Sequence, residues 1–311
     1  MKENGFKILM ISAMYENGGN TTQRLLDGEP GLAVYPFESQ LGSKYVNDFL
    51  NGMFPHKYRW PVFPSFSSAE QLYEMIIDEE CKVRIKTPNV SKFRSYPFEL
   101  TDSDRKKRFV ALMRNRTSVD SGAAITAFFQ ATFDTWKNCM FQRPFRAYVG
   151  YSPIIIVDAQ KMIRDFGSNI SILHIVRNPF SAYADTKKRP VPLSLEHYMS
   201  AWVTCQYFAR AYATLYPKQV SILRFEDIIA DPQKTLGTIL KKLQVQPKKI
   251  LTYPSFNGQE LKEMYPWGTI RVPTISANNA TAKELTHTER RAIQIYAEPY
   301  LASFGYTAFT K

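Results

Sequence analysis

The chain has few cysteines, too little acid to balance its base, and no long apolar run. Only Cys81, Cys139 and Cys205 occur among its 311 residues. An odd number set far apart, without a CxxC pair, excludes a disulfide framework and a cysteine zinc site and fits a reducing cytoplasm; no metal is expected. The apolar run from Ile8 to Met14 leads straight into Tyr15-Glu16-Asn17 without the small-residue cleavage site of a signal peptide. Nothing approaches the roughly 20 apolar residues that cross a bilayer, so no membrane partner is expected. A lysine is also missing from the glycine-rich stretch near the start, where a phosphate loop of the GxxxxGK[ST] type requires one with a magnesium-binding Ser or Thr behind it. That argues against a nucleotide kinase-like phosphotransferase.

What is present is enough to fold. A hydrophobic content of 44% with 14% aromatics supplies a full core and excludes disorder. Forty Lys and Arg against 28 Asp and Glu leave a net charge of +12, which asks for an anionic partner. The excess is localised: residues 101–250 carry 23 basic and 11 acidic side chains, whereas residues 1–100 carry 11 and 12. Arg177, Lys187 to Arg189 and Arg224 fall in that stretch beside strand ends. Arg105 to Arg108 and Lys241-Lys242 read as solvated surface. A non-catalytic anion- or nucleic-acid-binding protein is the alternative this charge raises, but no recognised nucleic-acid module is present and no nucleic-acid partner is expected.

Periodicity predicts strands at Lys7 to Ala13, Leu32 to Tyr35, Phe145 to Gly150, Ile170 to Val176 and Gln219 to Phe225. Helical patterns fall at about 69–78, 102–115, 121–138, 157–166, after Pro179, and at 193–216, 232–244 and 282–302. Strands separated by helices imply parallel crossovers, hence an α/β fold with a central parallel sheet flanked by helices. Without an internal repeat or low-complexity linker, residues 1–311 read as one domain, with a less regular acceptor-side region at about 50–140. The aromatic stretch Phe54 to Pro61 reads as a loop or lid.

Two segments carry phosphate chemistry. After the first strand comes Glu16-Asn17-Gly18-Gly19-Asn20-Thr21-Thr22. Adjacent glycines permit a tight turn, and Asn20, Thr21 and Thr22 present amides and hydroxyls at a helix N-terminus, where anions are favoured. A plain turn with a helix cap explains the same residues. Later, Ile170 to Val176 delivers Arg177 to the C-terminal edge of a buried strand, followed by Asn178-Pro179 and a new helix. Ligands of open α/β sheets bind at that edge, and arginine suits bidentate phosphate contact.

Taken in order, these segments resemble the nucleotide-binding core of the PAPS-dependent sulfotransferases, closer to the bacterial and carbohydrate-type members. The glycine loop and its helix resemble the family's 5′-phosphosulfate loop. Val176-Arg177-Asn178-Pro179 resembles its 3′-phosphate motif, preceded by Tyr151-Ser152-Pro153 where relatives often carry Lys-Thr-Pro. Leu223 to Pro232 resembles its Arg-Tyr-Glu-Asp-Leu and Asp-Pro segment, and Trp267-Gly268-Thr269-Ile270-Arg271 and Phe304-Gly305-Tyr306 extend the likeness to the C-terminal region.

The resemblance implies a P-loop NTPase-like sulfotransferase fold. It further implies 3′-phosphoadenosine-5′-phosphosulfate as donor, 3′,5′-ADP as product, and a hydroxyl or amine of a saccharide or secondary metabolite such as an alkaloid as acceptor. The implied nucleotide-binding residues are Asn17, Gly18, Gly19, Asn20, Thr21, Thr22, Arg177, Asp185, Thr186, Trp267, Thr269 and Arg271. Glu38, after the second strand, matches a position where such relatives often carry an acidic residue and is the candidate general base, with His56 the runner-up.

Two positions depart from the family pattern. Relatives place Lys or Arg in the glycine loop, where this chain has Glu16, Asn17 and Gly18, so Glu16 is expected to point away or the donor to sit differently. Relatives also carry a serine eight residues after the motif arginine, here Asp185, which cannot donate when ionised.

Overall fold

The computed structural model describes residues 6–114, 120–141, 143–246, 253–261 and 274–310. Its central sheet holds β1 Ile8–Ala13, β2 Leu32–Val34, β3 Ala147–Tyr151, β4 Ile170–Val176 and β5 Val220–Arg224. They lie in the order β2-β3-β1-β4-β5, every neighbouring pair parallel. A small antiparallel pair, β6 Ser255–Phe256 and β7 Gln259–Glu260, stands apart.

Helices fill the crossovers that parallel strands require. Between β1 and β4 run α1 Gly19–Leu26, α2 Ala69–Met75, α3 Glu79–Lys86, α4 Asp102–Arg114, α5 Ser121–Thr135 and α6 Ala159–Phe166. After β4 come α7 Pro179–Thr186 and α8 Leu195–Leu215. Beyond β5 lie α9 Phe225–Ala230, α10 Pro232–Lys242, α11 Ile275–Ala282 and α12 His287–Leu301.

Alternation along β1 divides the core in two. Ile8 and Met10 join one apolar cluster with Phe128 and Phe129 of α5 and Trp202 of α8. Leu9 and Ile11 join the other, with Leu25 and Leu26 of α1 and Leu236 and Leu240 of α10. Burial on both faces is what a parallel sheet demands, and it explains why β1 has no exposed residue.

The structure corrects or refines three sequence expectations. Helices α3, α9 and α11 lie where none was expected: Phe225, expected in the strand, begins α9, and α11 buries Asn278 and Thr281, so it shows no apolar stripe. The stretch from Phe54 to Pro61, expected as a loop or lid, is a loop around a short turn at His56–Tyr58, fastened down at Arg59 and Trp60. Arg59 is fully buried and donates from Nε to Asp158 Oδ2 at 2.7 Å, and the Trp60 amide donates to the same oxygen at 2.8 Å. Arg105, read as solvated, is fully buried. Its guanidinium donates to Asp78 at 2.7 Å and to the Tyr73 hydroxyl at 2.8 Å, and it lies over the Phe128 ring. Asp78 also accepts from the Tyr35 hydroxyl at 2.7 Å, tying the start of α3 to the end of β2.

His174 on β4 is fully buried between β1 and α8, 3.2 Å from Gln206 Oε1 and 3.4 Å from Ser12 Oγ. Burial pushes its imidazolium pKa down to about 4, from 6.5. The unfolded chain therefore binds a proton between these values that the folded chain refuses. The corresponding stability is complete above about pH 6.5 and is lost as pH falls toward 4, by roughly 3 kcal/mol. Urea unfolding at pH 7 and pH 4 measures this. The His174→Asn protein, with nothing to titrate there, should show a pH dependence shallower by that amount.

Candidate functional site

The C-terminal ends of β1 and β4, paired through Ala13 and Ile175, open into a cavity of about 480 Å³, a size typical of small-ligand sites. On one side lies the glycine loop. Gly18 is left-handed at φ 88° and begins α1 without a capping side chain. A Cβ there would run into the Phe225 ring, and one at Gly19 would run into the Tyr151 ring. Among the other helices α7, α8, α10 and α12 are capped by the side chains of Asn178, Ser194, Asp231 and Thr286, whereas α3, α6 and α9 also begin without a side-chain cap. The first-turn amides of a helix have no acceptor within it, and in α1 the residues of that turn, Gly18, Gly19, Asn20 and Thr21, line the cavity.

Asn17 does not line the cavity. It is fully buried, and its amide uses all its hydrogen-bonding positions within the chain. Nδ2 donates to the Tyr15 carbonyl at 2.8 Å and to the Tyr198 hydroxyl at 3.0 Å. Oδ1 accepts from the Arg177 amide at 3.0 Å and from Trp202 Nε1 at 3.2 Å. Thr22 is likewise committed, its hydroxyl donating to the Gly18 carbonyl at 2.9 Å.

Arg177 forms the opposite wall, only 3% exposed, with its guanidinium over the Phe225 ring. Nε donates to Asn278 Oδ1 at 2.6 Å, and Nη1 donates to the Glu16 carbonyl at 2.7 Å and to Asp185 Oδ2 at 2.8 Å. Nη2 is buried and has no partner among the described residues. Asp185 and Thr186 stand behind it, both buried, and Thr186 donates back to the Ala182 carbonyl at 2.9 Å. Of the neighbouring basic run, Lys187 pairs with Glu289 and Lys188 with Asp185 and Glu284. Arg189 turns to the cavity and covers the Tyr15 ring, 4.9 Å from its centroid. Glu16 does not point away: its side chain lines the cavity. Burial raises its pKa, against the opposing pull of Arg189.

Glu38 lines the same cavity. It accepts from the Tyr58 hydroxyl at 3.1 Å and from Lys92 Nζ at 3.3 Å, and its amide donates to Glu80 at 3.1 Å. Lys92 lies 2.7 Å from Glu80, whose pKa is raised by burial and by Glu38 while Lys92 opposes the shift. The loop holding Glu38 is fixed from α1. Gln23 donates to the carbonyls of Tyr35 and Phe37 at 2.8 and 3.1 Å, and Arg24 donates to that of Tyr35 at 2.7 Å. His56 is not part of the lining. Trp267, Thr269 and Arg271 lie outside the described residues.

Sequence reasoning missed Glu80, Lys92 and the positioning role of Gln23. Glu79-Glu80 resembles ordinary acidic chemistry at a helix start, and no local pattern marks Lys92. Among the described residues no group of three or more His, Cys, Asp or Glu side chains is gathered to hold a metal ion. No helix among them is long and apolar enough to cross a membrane.

Because Asn17 holds the loop without facing the cavity, Asn17→Ala should lower stability by about 2 to 4 kcal/mol as two or more partners lose their bonds. Urea unfolding measures that loss. An unchanged midpoint would mean that Asn17 contributes nothing to the fold.

The Sulfotransferase family model matches residues 76–248, more than half of the chain. Among solved structures, the sulfotransferase domain of the Synechococcus PCC 7002 olefin synthase superposes with a TM-score of 0.52 at 15% identity, covering 98% of each chain. The sulfotransferase domain from the curacin biosynthetic pathway gives a TM-score of 0.48 at 15% identity, over 95% of this chain and 97% of that one. No curated protein sequence matches the chain. Both the family match and the strand order agree with a parallel sheet whose first loop and fourth strand meet at one cavity, and the chain belongs to the sulfotransferase family.

Proposed function

We propose that this chain transfers a sulfuryl group from 3′-phosphoadenosine-5′-phosphosulfate to a hydroxyl or amine of a small molecule or saccharide, releasing 3′,5′-ADP. The observation that carries this reading is the unpartnered Nη2 of the buried Arg177, which shares one cavity with the uncapped first turn of α1. The first turn of α1 favours an anion and the free Nη2 of Arg177 an oxygen acceptor, so the ends of these adjacent strands suit a nucleotide with an anionic 5′ side and an oxygen at its 3′ position.

When bound, the donor supplies a sulfuryl group already activated by its phosphate anhydride. The residues present fit such a molecule at its 5′ side and offer the two N–H donors of Arg177 Nη2 at its 3′ side. Amides from Gly18 to Thr21 hold the 5′ side, and Arg177 meets the 3′ side. Arg189 and Lys92 are cations lining the cavity where the glycine loop itself has none. The protein's main work is alignment and stabilisation of developing charge.

Glu38 takes the proton from the acceptor as its oxygen or nitrogen bonds to sulfur, and Tyr58 and Lys92 orient that carboxylate from either side. The outer cavity mixes apolar Val83, Val90 and Leu261 with Lys57 and Glu79, a lining suited to a polar small molecule. Many cations of the basic middle segment are already paired, including Arg105, Arg143, Lys161, Lys187 and Lys188, which favours a focused nucleotide site over a broad nucleic-acid surface.

Isothermal titration with 3′,5′-ADP should show binding at micromolar nucleotide, and its absence would contradict the reading. Separately, Glu38→Gln should slow turnover by about 10² to 10⁴ with the affinity for 3′,5′-ADP retained. Full activity in that variant would move the base elsewhere.

A further inference from the structure

Resting on that donor reading, we propose that Asp185 makes the chain nearly indifferent to a phosphate on the 3′ position. The Arg177 end of the cavity takes a nucleotide with a free 3′-hydroxyl about as readily as one phosphorylated there. Arg177 has few donors left to offer a ligand. A guanidinium has five N–H donors, and three are engaged by Asn278, Glu16 and Asp185. Only the two on Nη2 remain.

Its charge is engaged as well. Asp185 is 1% exposed and lies 2.8 Å from Nη1. The other oxygen of that carboxylate accepts from Lys188 at 3.2 Å, and Lys188 is itself 2.9 Å from Glu284. Two cations and two carboxylates therefore balance before any ligand arrives. Of the other charged residues lining the cavity nearby, Glu16 contributes a carboxyl group and Arg189 the cation that opposes it, so neither adds a net charge to this end of the site.

A phosphate brought to Nη2 would gain one donor group but would sit beside a buried carboxylate that can accept and cannot donate. Like charges held close in a site of low dielectric offset much of that gain. A hydroxyl oxygen accepts from the same Nη2 without meeting repulsion. The internal carboxylate of Asp185 thus takes, on Arg177, the role that a 3′-phosphate would otherwise fill.

The test compares 3′,5′-ADP with 5′-AMP by isothermal titration on the whole protein. The two should bind the wild type within about fivefold of each other. In Asp185→Ser the ratio should shift to about 10- to 100-fold in favour of 3′,5′-ADP, the size of one or two charge-assisted hydrogen bonds. Asp185→Asn, which removes the charge while keeping the shape, should move it the same way, with thermal unfolding confirming that each variant is folded. A wild-type preference for 3′,5′-ADP above fivefold overturns the inference, as does an unchanged ratio in both folded variants. Failure of the wild type to bind either nucleotide overturns the donor reading, and this inference with it.

Discussion

One buried amide joins the parts that make this site. Asn17 ties the glycine loop to the end of β4 through the Arg177 amide, and to α8 through Tyr198 and Trp202. The loop needs such a hold because its backbone is unusual: Glu16 is left-handed at φ 57° and Gly18 at φ 88°. A non-glycine residue in that region is uncommon, so it persists only where its surroundings fix it. The Glu16 carbonyl, turned by this conformation, in turn accepts from Arg177. Glycine loop and arginine are therefore one rigid assembly.

The same economy governs the charges. Part of the chain's base lies inside the fold rather than on its surface. Arg59 and Arg105 are fully buried and hold the segments between β2 and α5 to the sheet, the first through Asp158 and Asp48, the second through Asp78. Removing one partner of such a buried pair typically costs 3 to 5 kcal/mol, about the scale of a domain's net stability. Arg105 and Asp78 also reach the site: through Tyr35 they brace the strand end from which the Glu38 loop departs. At the cavity itself Lys92 pairs with both Glu38 and Glu80, so the proposed base is held by its neighbours rather than by bulk solvent.

Much of the fold was legible in the sequence because it rests on local signals. All five sheet strands are short runs in which apolar residues predominate, and the glycine pair and the Arg177-Asn178-Pro179 turn mark where the chain leaves the sheet. What escaped depends on partners distant in sequence. Arg105 reads as surface in a run of charged residues until Asp78 and Tyr73 are brought around it. Asn17 reads as a ligand contact until Tyr198 and Trp202, over 180 residues away, claim its amide. Lys92 and Glu80 acquire meaning only beside Glu38, and Asp185 only beside the guanidinium of Arg177. Helix α11 was invisible because it buries polar residues, and its Asn278 is there to bond Arg177.

The central claim is that α1 and Arg177 embrace the two ends of one nucleotide. A crystal structure of the protein with 3′,5′-ADP tests it most directly. The account predicts the 5′-phosphate against the amides of Gly18 to Thr21, with the 3′ side of the ribose at Nη2 of Arg177. A nucleotide bound elsewhere, or one whose phosphates avoid both the glycine loop and Arg177, would contradict it.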